Sequence, residues 1–175
     1  MLPGTVRLLS AIVAFALLLL VATASSAAPA APTCTRAQLR VSHGPLNGSA
    51  GHFHWPVRFR NVSGSACTLR GFPRVRSLAA GHAVGAPAAR DHSAPVRTIR
   101  LAARGGVASA VFTQTDVGVF SRSRCHPATA TALRVHPPGQ ARAFVVRLRH
   151  RVCTTTPPGG SDSSIRPVVR GRTGL

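Results

Sequence analysis

The chain has 175 residues and a formal net charge of +19, because 22 arginines face only three acids, Asp91, Asp116 and Asp162. With no Glu, Lys or Tyr anywhere, it lacks the raw material for paired-carboxylate acid–base chemistry, a catalytic lysine or a carboxylate-rich cation site. A hydrophobic fraction of 45% still supplies a core, and the length suits one ordinary domain.

The first segment carries a single charge, Arg7, ahead of an apolar run over residues 8–22 centred on Leu17-Leu18-Leu19-Leu20. The run is about 15 residues, short of the ~20 that span a bilayer. Small residues at Ala22-Thr23-Ala24 suit a signal peptidase, so residues 1–24 read as a signal peptide and the protein as secreted, extracellular and free of a membrane span once processed. Cys34 follows Ala31-Pro32-Thr33 rather than the small, leucine-led tripeptide of a lipid-modified cysteine, which argues against a lipoprotein. Cleavage near Ala24 removes one arginine and no acid, so nearly all the charge stays with the mature chain. Residues 25–33, rich in Ala, Ser, Pro and Thr, read as a flexible lead-in. One domain is expected over residues 34–169, with a tail at 170–175.

Four cysteines follow the leader: Cys34, Cys67, Cys125 and Cys153. In an exported chain an even count favours disulfides, and four cysteines permit three pairings. None belongs to a CxxC pair, which weighs against a thiolate zinc site. Sequential pairing closes two loops of similar moderate size, each contributing about 3–4 kcal/mol in the chain-entropy view, and serves as the working pairing.

Leu39 and Val41 alternate in the first candidate strand. The clearest signal follows at residues 52–60, where Phe53, Trp55, Val57 and Phe59 alternate with His54, Pro56, Arg58 and Arg60, the pattern of a strand buried on one face. Trp55 reads as a core anchor. Pro56 sits on the outward set and donates no ladder hydrogen bond, which predicts an edge strand or a bulge. Val75 and Leu78 mark the next strand, Ile99 and Leu101 another before Gly105-Gly106, and residues 107–114 a longer one. Leu133 and Val135 stop at Pro137-Pro138-Gly139, and Phe144, Val146 and Leu148 alternate with Val145, Arg147 and Arg149. Residues 154–164 read as a loop, and residues 165–169 as a last short strand or a frayed end. No segment shows a sustained helical period, so short strands between Gly and Pro turns predict an all-β sandwich or barrel.

Several segments carry a resemblance. Asn61-Val62-Ser63-Gly64-Ser65-Ala66-Cys67-Thr68-Leu69-Arg70-Gly71-Phe72-Pro73-Arg74-Val75 resembles the signature of the domain-of-unknown-function family numbered 4232, found in secreted and lipid-anchored proteins of actinobacteria. Gly85-Ala86-Pro87-Ala88, Thr115-Asp116-Val117-Gly118, Cys125-His126-Pro127 and Leu133-Arg134-Val135-His136-Pro137-Pro138-Gly139 match in order, from Cys34 to Cys153. The resemblance implies an immunoglobulin-like β-sandwich and the same sequential disulfides, Cys34 to Cys67 and Cys125 to Cys153. It implies no activity. Many relatives carry a lipid-attachment cysteine ahead of the domain, which this chain lacks, and the nearly acid-free composition is its own.

Asp91-His92-Ser93 contains the residue types of a hydrolase triad, but triads are assembled from distant segments, and a polar loop tip explains it. Asp116 is expected to fix a turn before Gly118 by accepting backbone N–H bonds. His52 and His54 share one strand face at a spacing a metal can use, yet no carboxylate or free thiol stands near them, so surface histidines are expected and no metal or cofactor. Asn47-Gly48-Ser49 and Asn61-Val62-Ser63 fit the glycosylation pattern and are read as accidental. The charge is the feature that points to function. Arg58, Arg60, Arg97, Arg142, Arg147 and Arg149 fall on expected outward positions, while Arg122, Arg124 and Arg151 flank the second cysteine pair. Such a field attracts nucleic acid, anionic lipid head groups or phosphate-bearing wall polymers without sequence preference. The expected protein is a monomeric, non-enzymatic binding or accessory module at the cell envelope. The alternatives are a purely structural domain or a hydrolase on the same scaffold using a histidine such as His92.

Overall fold

Alternation of large apolar and polar side chains dictates where this backbone extends, and in the computed structural model the described residues do so in thirteen strands. Residues 30–174 are described; the signal peptide expected over residues 1–24 and the first part of the lead-in lie outside them. In chain order the strands are β1 (Leu39–His43), β2 (Asn47–Ser49), β3 (His52–Asn61), β4 (Cys67–Arg70), β5 (Arg74–Ala79), β6 (His82–Val84) and β7 (Ala89–Arg90). They continue with β8 (Thr98–Leu101), β9 (Val107–Thr115), β10 (Pro127–His136), β11 (Phe144–Cys153), β12 (Ser163–Ile165) and β13 (Val169–Arg170). The longest helical piece among the described residues is the single turn α1 (Arg122–Cys125).

One sheet runs β1-β3-β9-β12-β7, with β2 also on β3 and β13 also on β9; a second runs β11-β10-β5-β6, and β4 pairs with β8 alone. All three turn apolar faces to one core. Trp55, Val57, Phe59 and Phe112 come from the first sheet, Val75, Leu133, Val135, Val146 and Leu148 from the second, and Leu69, Ile99 and Leu101 from the small pair. Trp55 lies 6.1 Å from the Phe112 ring and 5.9 Å from that of His150, so it touches both large sheets. The expected all-β fold is thus observed. Both disulfides form in the sequential pairing, Cys34–Cys67 and Cys125–Cys153.

β3 departs from expectation in one respect. Far from being an edge, it is paired along both sides, by β9 on one and by β1 and β2 on the other. The irregularity demanded by Pro56 is carried by the neighbour: His43 pairs with Val57 and Asn47 with His54, and the ladder lapses between them. Gly44 N donates to Pro56 O at 2.8 Å. The N and O of a strand residue point to the same side, so the missing N–H of Pro56 faces this interruption and no partner is orphaned. The chain approaches so closely that a Cβ on Gly44 would lie 2.6 Å from Pro56 Cγ.

Asn61 is fully buried where β3 ends. Its Nδ2 donates to Ser65 O at 2.7 Å and to Ala102 O at 3.1 Å, and its Oδ1 accepts from Ser63 N at 3.0 Å and Ser63 Oγ at 2.8 Å. The Asn61-Val62-Ser63 pattern is therefore a structural staple, inaccessible to a glycan. Asp162 plays a similar part at the other end. Buried at 1% exposure, its Oδ2 accepts from Cys153 N at 2.7 Å and Gln114 Nε2 at 2.9 Å, which closes the 154–161 loop onto the second disulfide.

Candidate functional site

Every acid in the chain is committed. Asp91 accepts from Ser93 N at 2.8 Å and pairs with Arg166 Nε at 3.0 Å. Asp116 accepts from Gly118 N at 2.8 Å and fixes the expected turn. Asp162 is buried against Cys153 and Gln114. Arg166–Asp91 is the one ion pair among the described residues, and no described arginine is buried. The remaining described guanidinium groups have no carboxylate partner.

The six arginines singled out from the sequence do not converge. Arg58 and Arg60 lie on the outer face of the first sheet, where Arg60 stands opposite Arg40 of β1 and half-buried Arg58 donates from Nε to Arg172 O at 2.9 Å. Arg97 is exposed in the segment before β8 and Arg142 in the turn before β11. Arg147 and Arg149 point outward from β11, on the second sheet, and Arg151 continues the same row. These three form a row of charge on an edge strand, although the β10–β11 ladder shifts register between Arg147 and His150.

Arg74, Arg76 and Arg134 extend that charged surface and were not selected from the sequence. Arg134 of β10 is directly opposite Arg76 of β5, and His136 opposite Arg74. Like charges opposed across a ladder are destabilising unless something neutralises them. Their outward alternation around Val75 and Val135 was readable in the sequence; the register that unites them was not.

Where this surface meets the end of the second sheet, a cleft of about 370 Å³ opens among Phe72, Arg74, Arg90, Pro137, Gly139, Gln140 and Ala141. A shallower hollow of about 250 Å³ shares Arg74 and adds Arg76, Pro87, Arg134 and His136. The cleft has a rigid wall. Gln140 N donates to Pro137 O at 3.0 Å with Gly139 at φ +73°, the geometry of a type II turn that Pro138 and Gly139 favour. The Gln140 side chain donates to Cys34 O, which ties this turn to the first disulfide. Arg74 Nη2 donates to Gln140 O at 3.3 Å and also lies 3.3 Å from His136 Nδ1. Since Nδ1 is only 3.0 Å from Ala141 O, its proton belongs to that carbonyl, and Gln140 O is the true acceptor for Arg74. Opposite, the Arg90 guanidinium lies 5.6 Å from the centre of the Phe72 ring, and the His92 ring 4.7 Å from it.

The other sequence candidates are occupied structurally. His92 packs at a tilt against Phe72 while Asp91 serves Arg166 and Ser93, so Asp91-His92-Ser93 forms no proton relay. His52 and His54 are 6.2 Å apart between ring centres. Both His54 nitrogens are engaged, one by Ser49 Oγ at 2.9 Å and the other by Thr113 Oγ1 at 2.9 Å. Burial, with the nearby charges of His52 and Arg166, lowers its pKa below the ordinary histidine value. Among the described residues no three His, Cys, Asp or Glu side chains gather as a metal site would require.

A family model described as a domain of unknown function (DUF4232) matches residues 34–169. No curated protein matches the chain.

Proposed function

The chain belongs to the DUF4232 family, and because that description carries no activity we propose a function from the surface: an exported, non-enzymatic β-sandwich module, immunoglobulin-like in arrangement, that binds anionic polymers at the cell envelope. The observation that carries this reading is the lack of any carboxylate to neutralise Arg74, Arg76, Arg134, Arg147, Arg149 and Arg151 on one outer surface. The two disulfides favour an oxidising compartment. No helix of the described residues is long and apolar enough to cross a membrane.

Binding of this kind is driven by release of counterions from the polymer and falls steeply with salt. It reads no sequence, because phosphate contacts carry none. The test is a titration of labelled DNA and of a poly(glycerol phosphate) between about 50 and about 200 mM salt. Affinity that collapses over this range supports the reading. Undetectable binding to both at the lower salt leaves a structural domain, whose edge arginines serve only to discourage pairing of β11 with other strands.

A further inference from the structure

We propose that the cleft between Phe72 and the 137–141 turn is a discrete site for a phosphorylated sugar or polyol, with the phosphate held between Arg74 and Arg90 and the carbon skeleton resting on Phe72 and Pro137. The proposal rests on the reading above in taking the unneutralised arginines to face a ligand. It goes further in naming a single pocket and the group that fills it.

Size, charge and rigidity support it together. A volume of about 370 Å³ lies within the range of small-molecule sites. Two guanidinium groups line it and no acid does, since Asp91, Asp116 and Asp162 are all engaged elsewhere. A pair of positive charges matches a phosphate monoester, which carries about −1.5 to −2 at neutral pH, better than a carboxylate with a single charge. Guanidinium forks suit phosphate oxygens. Arg74 is held by Gln140 O, and the turn that supplies this carbonyl is anchored to Cys34, so one arm of the site is in place before a ligand arrives. Phe72 and Pro137 give the remaining wall an aromatic and apolar character suited to the ring or chain that bears the phosphate.

The construction also gives a use to sequence segments that the core leaves unexplained. Phe72 stays half-buried at a corner set by Gly71, whose φ is +101° and whose carbonyl accepts from Val168 N at 2.9 Å. The Pro137-Pro138-Gly139 turn does more than end β10: it forms the opposite wall of the same cleft.

The test is an NMR titration of the isotopically labelled protein with glucose 6-phosphate, inorganic phosphate, glucuronate and glucose. The expected result is saturable shifts centred on Phe72, Gly139 and Gln140 with glucose 6-phosphate, weaker ones at the same place with inorganic phosphate, and none with glucose. Arg74→Ala and Arg90→Ala each weaken binding of both phosphate probes about tenfold, as the loss of one charge-assisted contact should. Phe72→Ala weakens glucose 6-phosphate and leaves inorganic phosphate unchanged. Both arginines are exposed, so a melting curve unchanged from the parent shows that the fold is not the cause. Glucuronate binding as tightly as glucose 6-phosphate, or shifts spread over all arginines and insensitive to Arg74→Ala, overturns the proposal. The double variant Arg147→Ala/Arg149→Ala separates the two readings: it weakens polymer binding and leaves the glucose 6-phosphate titration as it was.

Discussion

Ser77 and His150 are joined by a 2.8 Å hydrogen bond that passes over an intervening strand. Ser77 belongs to β5 and His150 to β11, and β10 lies between them. The bond is possible because the β10 residue opposite His150 is Ala130, whose small side chain leaves room for the ring. Nδ1 lies 3.2 Å from Leu148 O and takes the proton, so Nε2 accepts from the Ser77 hydroxyl. A buried polar pair thus completes the core beside Trp55, with each hydrogen-bonding group of the neutral imidazole satisfied.

This arrangement makes stability depend on pH. Burial lowers the His150 pKa below its ordinary value of 6.5, against smaller opposing effects of Leu148 O and the Asp162 charge. The unfolded chain therefore takes up a proton at a pH where the folded one does not. The contribution is complete above the unfolded value and is lost as the pH falls toward and through the folded one. The melting temperature should drop between about pH 7.5 and about pH 5, and His150→Gln should drop less than the parent. Equal slopes for the two proteins would remove His150 as the cause; His54, also lowered by burial, would then be the next candidate to substitute.

Asn61→Ala is expected to destabilise by about 2 kcal/mol, because it empties a fully buried position and removes four hydrogen bonds, although Ser65 O keeps Ser63 Oγ and Ala102 O keeps Gly106 N as donors. Urea unfolding measures it directly. A midpoint equal to that of the parent would mean that water reaches these groups and that the corner is not sealed.

Strands were legible because period-two alternation is a local property: the reading of Phe53, Trp55, Val57 and Phe59 as one inward face needs no knowledge of neighbours, and neither does the outward run of Arg147 and Arg149. Features that depend on pairing were hidden. Pro56 pointed to an edge or a bulge, since nothing in β3 says that the irregularity falls between β1 and β2. Asn61 fitted a glycosylation pattern that was read as accidental, but its structural use stayed hidden because its partner Ala102 lies on a distant segment of the chain. Arg76 and Arg134 became neighbours only through the register of β5 on β10. The cleft was beyond reach for the same reason, being assembled from Phe72, Arg90 and the 137–141 turn.

Trp55→Ala is expected to cost about 3–5 kcal/mol, the range for truncating a large buried aromatic. The side chain is 6% exposed and packs on Phe112 and His150. The hole it leaves cannot collapse readily, since it lies between two sheets whose ladders hold their backbones apart. Unfolding at the parent's denaturant concentration would place Trp55 at the surface and reopen its use as a ligand platform.

The row formed by Arg147, Arg149 and Arg151 makes a quantitative claim about salt. Each arginine that meets a phosphate releases counterions, and for a duplex the slope of log affinity against log salt changes by about 0.9 for every phosphate neutralised. The three side chains are exposed along one edge strand, so a polyanion lying along β11 meets all of them. Replacing all three by Ala should flatten the slope by nearly 3, roughly 0.9 each. The variant should fold, because no core residue is touched and exposed substitutions usually change stability by under about 0.5 kcal/mol. Replacing Arg58, Arg60 and Arg97 removes the same formal charge from other surfaces, and this control decides between a site and a general field. A site on β11 predicts a large loss of slope in the first variant and little in the second; equal losses would show that the polymer samples the whole positive surface, with no preferred strand.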